Sequence, residues 1–147
     1  MRFIFADTGY WVALLNPGDD LHQKAIHLEQ SLQPVHIVTS EMVLTEVLND
    51  FSKRGEYLRE VASELILGLR SHPNTTIIPQ TTQQFEQAFT LYAQRKDKAW
   101  SHTDCVSFNI MEENDIVEAL AYDKHFTQAG FTPVMRNCQG QDKNKSR

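Results

Sequence analysis

Short apolar runs alternate with longer segments of helical periodicity along this chain, and this alternation constrains its fold more than any other feature. Short strands that alternate with helices predict a parallel sheet covered by helices on both faces, because each parallel crossover carries a helix. We therefore expect an α/β protein, a three-layer α/β/α sandwich with a short central parallel sheet of four to five strands. The strand candidates are Phe3–Ala6, Val35–Val38, Thr76–Ile78, Val117–Tyr122 and, more weakly, Thr132–Met135.

Helix boundaries are marked by capping and breaking residues. Asp20, with Gln23 three positions later, resembles a capping box and is expected to open a helix. Ser40 is expected to cap the next helix, and Gly55 to end it. A long amphipathic helix is then expected to stop before Pro73.

The length of 147 residues fits one domain. We assign residues 1–135 to that domain. Residues 136–147 contain four basic residues, one acid and almost nothing apolar, which predicts a disordered basic tail with a net charge of +3.

Composition excludes several classes of protein. Two cysteines, Cys105 and Cys138, cannot build a disulfide framework or a four-cysteine zinc site, and the six histidines show no zinc-binding spacing. No apolar run approaches the roughly 18 residues that a membrane span needs, and the apolar start is too short for a signal peptide. With free thiols, the cytoplasm is the expected location.

Two aspartates directly follow strand candidates. Asp7 comes after Phe3–Ala6, and Asp123 comes after the run that ends at Tyr122. Carboxyl ends of parallel strands share one edge of the sheet, where ligands bind in α/β proteins. Each aspartate alone could simply cap a helix. Two carboxylates at one edge repel each other unless a cation lies between them, so together they favour a metal site.

Two further acids have ordinary structural explanations. Asp104 closes the capping-box pattern that begins at Ser101, and a helix cap satisfies that pattern by itself. Glu46 lies in a helix to one side of the apolar stripe, where surface exposure is the simplest expectation. If these oxygen donors do hold an ion, a hard divalent cation such as Mg²⁺ or Mn²⁺ suits them.

Four motifs in order along the chain resemble those of the PIN-domain family, most closely the VapC-like toxins of type II toxin–antitoxin systems. The motifs are Phe5–Leu14, Thr45–Leu48, Trp100–Phe108 and Asp123–Phe131. The resemblance covers nearly the whole chain and implies a metal-dependent endoribonuclease that hydrolyses RNA phosphodiester bonds through a metal-activated water. It also implies an RNA substrate, a small antitoxin partner and a homodimer.

The resemblance further assigns roles to residues of this chain. The catalytic and metal-binding acids are implied to be Asp7, Glu46, Asp104 and Asp123. The ion would be Mg²⁺ or Mn²⁺. Hydroxyls that could orient these ligands belong to Thr8, Ser101 and Thr103.

Basic residues near the third and fourth motifs are candidates for contact with substrate phosphates. They are Arg95, Lys96, Lys98 and Lys124. For the first three, a solvated helix end is an equally good explanation, since cations suit the carboxyl end of a helix.

Two alternative functions remain open at this point. A haloacid-dehalogenase-type phosphatase would use Asp7 as a phosphorylated nucleophile, but that chemistry needs a second acid two residues later, where this chain has Gly9. The domain could also bind RNA or a protein without catalysis.

The net charge of −5 at first argues against a nucleic-acid partner. Residues 1–135 carry −8, however, and four of those charges belong to the acids of the expected metal site. RNA is therefore expected to bind locally, through the metal and a few cations. A shallow salt dependence of RNA affinity follows, because its slope scales with the number of phosphates neutralised.

Overall fold

The computed structural model describes residues 1–136 and contains one five-stranded sheet. All strand pairs are parallel, in the order β3-β2-β1-β4-β5. The strands are β1 (Arg2–Ala6), β2 (Val35–Ser40), β3 (Thr75–Ile78), β4 (Glu118–Leu120) and β5 (Thr132–Pro133). The parallel α/β architecture is as predicted, and the last two strands are shorter than their apolar runs.

Seven helices connect and flank the strands of the described chain. They are α1 (Thr8–Leu15), α2 (His22–Ser31), α3 (Glu41–Phe51), α4 (Glu56–Ser71), α5 (Thr82–Gln94), α6 (His102–Glu113) and α7 (Lys124–Gln128). Helix α1 packs against α2 and α3, and α5 packs against α6. In helix α1 four consecutive residues, 10 to 13, are all buried. Its sequence is therefore apolar around the helix and shows no one-sided apolar stripe.

Strand β1 is the centre of the sheet and the point at which strand order reverses. The chain runs outward from β1 through β2 to β3, then crosses back to place β4 on the other side of β1 and β5 beyond it. The carboxyl ends of β1 and β4 therefore border the crevice that such a reversal opens. The backbone amide of Asp7 donates to the carbonyl oxygen of Leu120 at 3.1 Å, which joins the two strand ends at this point.

Most of the expected helix boundaries are confirmed. The Ser40 side chain accepts from the amide of Val43 at the start of α3, and Gly55, with φ of 94°, precedes α4. The prediction for Asp20 is wrong. Helix α2 begins at His22, and the carboxylate of Asp19 accepts from the amide of Leu21 at 2.9 Å, so the neighbouring aspartate orders this turn.

The core lies between the sheet and its helices. Tyr10, Trp11 and Trp100 are buried in it. Cys105 is a buried free thiol, and burial raises its pKa to about 11, which keeps it neutral. No helix among residues 1–136 is long and apolar enough to cross a membrane. The predicted tail lies outside the described residues from position 137 onward, and Cys138 with it.

Candidate active site

Asp7 stands where β1 ends and α1 begins. It is the N-cap residue of α1, but its side chain makes no capping hydrogen bond. The capping explanation that its position in the sequence allows therefore does not account for its carboxyl group. Thr39, fully buried at the end of β2, donates to the carbonyl oxygen of Ala6 at 2.9 Å and accepts from the Trp11 indole at 3.4 Å. These bonds tie the turn that carries Asp7 to the neighbouring strand.

The electrostatic setting of Asp7 is unfavourable to its charge. The pKa of Asp7 is raised to about 7, mainly by burial; the Thr8 amide opposes this shift, and the negative charges of Asp104, Glu46 and Asp123 each add a smaller increase. A metal-free site therefore keeps this carboxyl substantially protonated near neutral pH. A carboxyl group with a strongly raised pKa in a pocket is typical of a functional site.

Glu46 points toward the same crevice from α3. Its carboxylate accepts a hydrogen bond of 2.7 Å from the hydroxyl of Thr8, which lies next to Asp7. The surface position that its place beside the apolar stripe suggested is wrong, since the side chain is only partly exposed and is held by α1. The orienting role that the resemblance implied for the Thr8 hydroxyl stays a prediction.

Asp104 is both a helix cap and a member of the crevice. The Ser101 hydroxyl accepts from the Asp104 amide at 3.0 Å, and the Ser101 amide donates to the Asp104 carboxylate at 3.0 Å, which completes the expected capping box. Burial raises the pKa of Asp104, while the Ser101 amide and His125 oppose that shift. The capping box fixes one carboxylate oxygen and thereby sets the orientation of the group.

His125 joins Asp104 to Asp123. Its Nδ1 lies 3.1 Å from Asp104 Oδ2 and 3.3 Å from Asp123 Oδ1, and only 18 % of its side chain is exposed. A carboxylate oxygen can only accept a hydrogen bond, so Nδ1 carries the proton shared with Asp104. Asp123 also caps α7, accepting from the amide of His125 at 2.9 Å. No local sequence pattern indicates the bond to Asp104, because the two residues are 21 positions apart.

The four acids line one open pocket of about 760 Å³ at the carboxyl ends of β1 and β4. The strand-end positions predicted this meeting for Asp7 and Asp123, and the resemblance implied it for Glu46 and Asp104 as well. Gly9, beside Asp7, also lines the pocket and offers no side chain there. The lining residues are Asp7, Gly9, Leu21, Glu46, Ala99, Ser101, Asp104, Tyr122, Asp123, Lys124, His125 and Arg136.

Of Thr103 and the four basic residues predicted for the site, only one lines this pocket. Thr103 is buried within α6, outside the residues that line the pocket. Arg95 pairs with Asp97 at 3.0 Å and lies over the ring of Trp100, and Lys98 lies 3.8 Å from the same aspartate. Lys96 is exposed and also lies outside the lining. Lys124 alone of the four basic candidates reaches the pocket.

Tyr122 and Arg136 are among the pocket residues that the sequence did not single out as site residues. Tyr122 was counted only as the end of a strand candidate, and Arg136 as the first residue of the basic tail. The Arg136 Nε donates to the backbone oxygen of Tyr122 at 2.8 Å, and its guanidinium lies over the ring of that tyrosine. Neither contact leaves a local pattern, because the two residues are 14 positions apart and separated by α7.

The donor chemistry of the pocket suits a hard divalent ion. Its acids are oxygen donors, and no capping hydrogen bond occupies the side chain of Asp7. Within residues 1–136, no three acidic, histidine or cysteine side chains meet closely enough to hold an ion directly. Mutual repulsion of four carboxylates opposes closer approach in the absence of a cation. Mg²⁺ retains several waters and needs only one or two direct carboxylate ligands, which an open pocket allows.

Comparisons with known proteins agree with the geometry. The family model described as PIN domain matches residues 4–132. The chain is 34 % identical over 131 residues to the 23S rRNA-specific endonuclease VapC20 of two Mycobacterium tuberculosis strains, covering 89 % of this chain and 97 % of that protein. The crystal structure of M. tuberculosis VapC20, described as a sarcin-ricin loop cleaving toxin, superimposes with a TM-score of 0.79 at 31 % identity. It covers 88 % of this chain and 97 % of that chain.

Proposed function

This chain belongs to the PIN-domain family, and we propose that its acidic pocket is the active site of a divalent-metal-dependent endoribonuclease. The observation that carries the proposal is the convergence of four carboxylates on one pocket, with burial and mutual repulsion raising the pKa of Asp7 to about 7. Such a site is stable in its charged form only when a cation compensates it. The likeness to VapC20 supports RNA as the polymer that is cut.

We assign direct metal contact to Asp7 and Asp104, and a supporting role, direct or through water, to Glu46 and Asp123. The Thr8 hydroxyl orients Glu46, and the Ser101 amide and His125 orient Asp104. A bound divalent ion supplies an activated water and stabilises the charge that develops on the phosphate. Mg²⁺ and Mn²⁺ both fit these oxygen donors.

The chain's own groups then bind and position the substrate. We assign Lys124, which lines the pocket, to contact with a phosphate next to the one that is cut. No side chain is required to form a covalent bond with the substrate.

We infer the substrate class and the partners from the likeness to VapC20. VapC20 is described as specific for 23S rRNA and as cleaving its sarcin-ricin loop, and we propose a structured ribosomal RNA loop as the substrate class here. We further propose a toxin role in the cytoplasm, a small antitoxin that binds the chain and blocks the pocket, and a homodimer as the functional assembly.

The test is cleavage of purified ribosomal RNA by the full chain with Mg²⁺ or Mn²⁺, with an unstructured RNA of equal length as a comparison. Asp104→Asn is expected to lower the rate by about 10³-fold, since metal catalysis supplies several kcal/mol and each 1.4 kcal/mol changes a rate tenfold. Asp115→Asn is the matched control, because it makes the same change just past the opposite end of α6.

Cleavage that needs the metal, disappears with EDTA and is lost in Asp104→Asn but not in Asp115→Asn supports the proposal. Cleavage that persists in EDTA and in Asp104→Asn contradicts it. Equal cleavage of the structured and unstructured RNAs would contradict only the proposed substrate class.

A further inference from the structure

We propose that Arg136, held over the ring of Tyr122 at the rim of the acidic pocket, is an RNA-binding residue that contacts the substrate backbone beside the phosphodiester that is cut. The inference rests on the proposed ribonuclease function. It deepens that function by naming the group that holds the anionic substrate at a pocket of like charge.

Two contacts fix the Arg136 guanidinium in place. Its Nε donates to the backbone oxygen of Tyr122 at 2.8 Å, and its central carbon lies 4.6 Å from the centroid of the Tyr122 ring. Tyr122 directly precedes Asp123, so the platform is built into the same strand-to-helix turn that supplies an acid of the site. Both residues of the platform line the pocket.

Three other arginines differ from Arg136 because each is paired with a carboxylate. Arg2, Arg54 and Arg95 each direct two nitrogens at a single carboxylate. Arg136 has no carboxylate partner among the described residues. Within residues 1–136 its two terminal nitrogens also have no hydrogen-bond acceptor. The fold of residues 1–136 thus orients this guanidinium but leaves its positive charge unpaired and its terminal N–H groups available to a ligand.

A phosphate is the ligand that such a group fits. Two parallel N–H groups of a guanidinium bind two oxygens of one phosphate, and a fork already held against an aromatic ring loses little freedom on binding. Four carboxylates exceed the charge of one divalent ion, so an exposed cation at the rim favours the approach of the RNA backbone. Lys124 adds a second positive charge at that rim.

The test compares Arg136→Gln, Arg136→Lys and the matched control Arg54→Gln. Arg54 is also an arginine near an aromatic ring, 5.8 Å from the Phe51 centroid, but it pairs with Asp50 and lies outside the pocket. Affinity for a fluorescent RNA hairpin is measured by anisotropy at several salt concentrations, in an Asp7→Asn background that prevents cleavage. The kinetic constants kcat and KM are measured in the otherwise unchanged full chain with Mg²⁺.

Arg136→Gln is expected to weaken RNA binding about tenfold, the usual scale for a lost charge-assisted contact. It should also reduce the slope of log affinity against log salt by about 0.7. Arg136→Lys keeps the charge, so its salt slope should match the parent while its affinity falls, because an ammonium cannot form the fork. In the active enzyme the change should appear mainly in KM. Arg54→Gln should keep the RNA affinity within about twofold of the parent value, because salt screens a surface charge that lies away from the pocket.

The tyrosine provides an independent check that does not alter charge. Tyr122→Phe keeps the ring and the backbone oxygen and should bind RNA like the parent, whereas Tyr122→Leu should weaken binding as Arg136→Lys does. A purely structural role of Arg136 would lower Tm and leave the salt slope unchanged, which would overturn the inference.

The inference and the proposed function fail in different ways. If the parent cleaves RNA and Arg136→Gln matches it in affinity, salt slope and KM, the inference alone is wrong. If the full chain cleaves no RNA with either metal, the proposed function is wrong and the inference falls with it.

Discussion

The two ends of the β1–β4 strand pair differ in how their acidic side chains are partnered. At the amino end, Arg2 on β1 meets Glu118 on β4 through two bonds of 2.8 Å, which raises the pKa of the arginine and lowers that of the glutamate. At the carboxyl end, Asp7 and Asp123 lie in a pocket with two further acids, and no arginine of the described chain pairs with any of the four. At one end the acid has an arginine partner, and at the other end the four acids have none among the described residues.

The difference separates a structural pair from a functional cluster. A salt bridge between exposed side chains contributes at most about 1 kcal/mol to stability and asks for no ligand. A cluster of acids whose burial raises a pKa to about 7 destabilises the folded protein once ionised, so a cation must compensate it. Proteins retain such unfavourable arrangements at sites where they act.

Neutralising Asp7 should produce the largest effect, with opposite signs for activity and stability. Asp7→Asn is expected to lower RNA cleavage by about 10³-fold or more, because it removes a metal ligand. The same variant should melt at a higher temperature than the parent in EDTA at pH 8, by about 2–4 °C for each kcal/mol of repulsion and desolvation removed. Cleavage assays and thermal melts check both signs. If Asp7→Asn melts below the parent in EDTA, the acids at the carboxyl end do not destabilise the fold and the two ends do not differ in this respect.

The pH dependence should follow the raised pKa of Asp7. The folded pKa of about 7 lies above the reference value of 3.8, so the stability that protonation contributes is present below pH 4 and is lost as pH rises to about 7. The Tm advantage of metal-free Asp7→Asn should therefore grow between pH 4 and 7 and stay constant above. Metal affinity of the parent should fall by up to about tenfold for each pH unit below 7, since the ion competes with a proton. A flat difference between parent and variant over this range would contradict the electrostatic account.

Removing the bond between His125 and Asp104 should have an intermediate effect. His125→Ala is expected to weaken Mn²⁺ binding about 10- to 100-fold, the usual result of losing a group that orients a metal ligand. His125→Asn should recover part of the affinity, because the asparagine amide can donate from nearly the position of Nδ1. Calorimetric titration with Mn²⁺ separates the two variants. Equal affinity in the parent and His125→Ala would show that the capping box alone orients Asp104.

The amino end of the strand pair should give the smallest effect. Glu118→Gln is expected to destabilise the protein by at most about 1 kcal/mol, because the pair is partly exposed, and to leave cleavage unchanged. Chemical denaturation measures this cost. Neutralising an acid would then destabilise one end of the strand pair and stabilise the other. A loss of cleavage in Glu118→Gln would show that the two ends are coupled.

The order of the elements and the identity of the acids could be predicted from the sequence. Each depends on residues that are neighbours along the chain: an apolar run before Asp7, a hydroxyl three residues before Asp104, a breaker at Gly55. The same local patterns gave no amphipathic signal for α1, in which four consecutive residues are buried, and wrongly made Asp20 the cap of α2, which begins after Leu21 with no side-chain cap. The roles of individual acids as metal ligands remain predictions.

What only the tertiary structure decided is which groups meet at the carboxyl edge. His125 bonds to Asp104 from 21 residues away, Thr8 to Glu46 from 38, and Arg136 folds back onto Tyr122, while Arg95 is occupied by its neighbour Asp97. Periodicity encodes which face of an element is buried, but it does not encode strand order. By itself the sequence determined that this chain folds as an alternating α/β protein with acids at strand ends. The order β3-β2-β1-β4-β5 brought those acids, one histidine and one arginine to a single pocket.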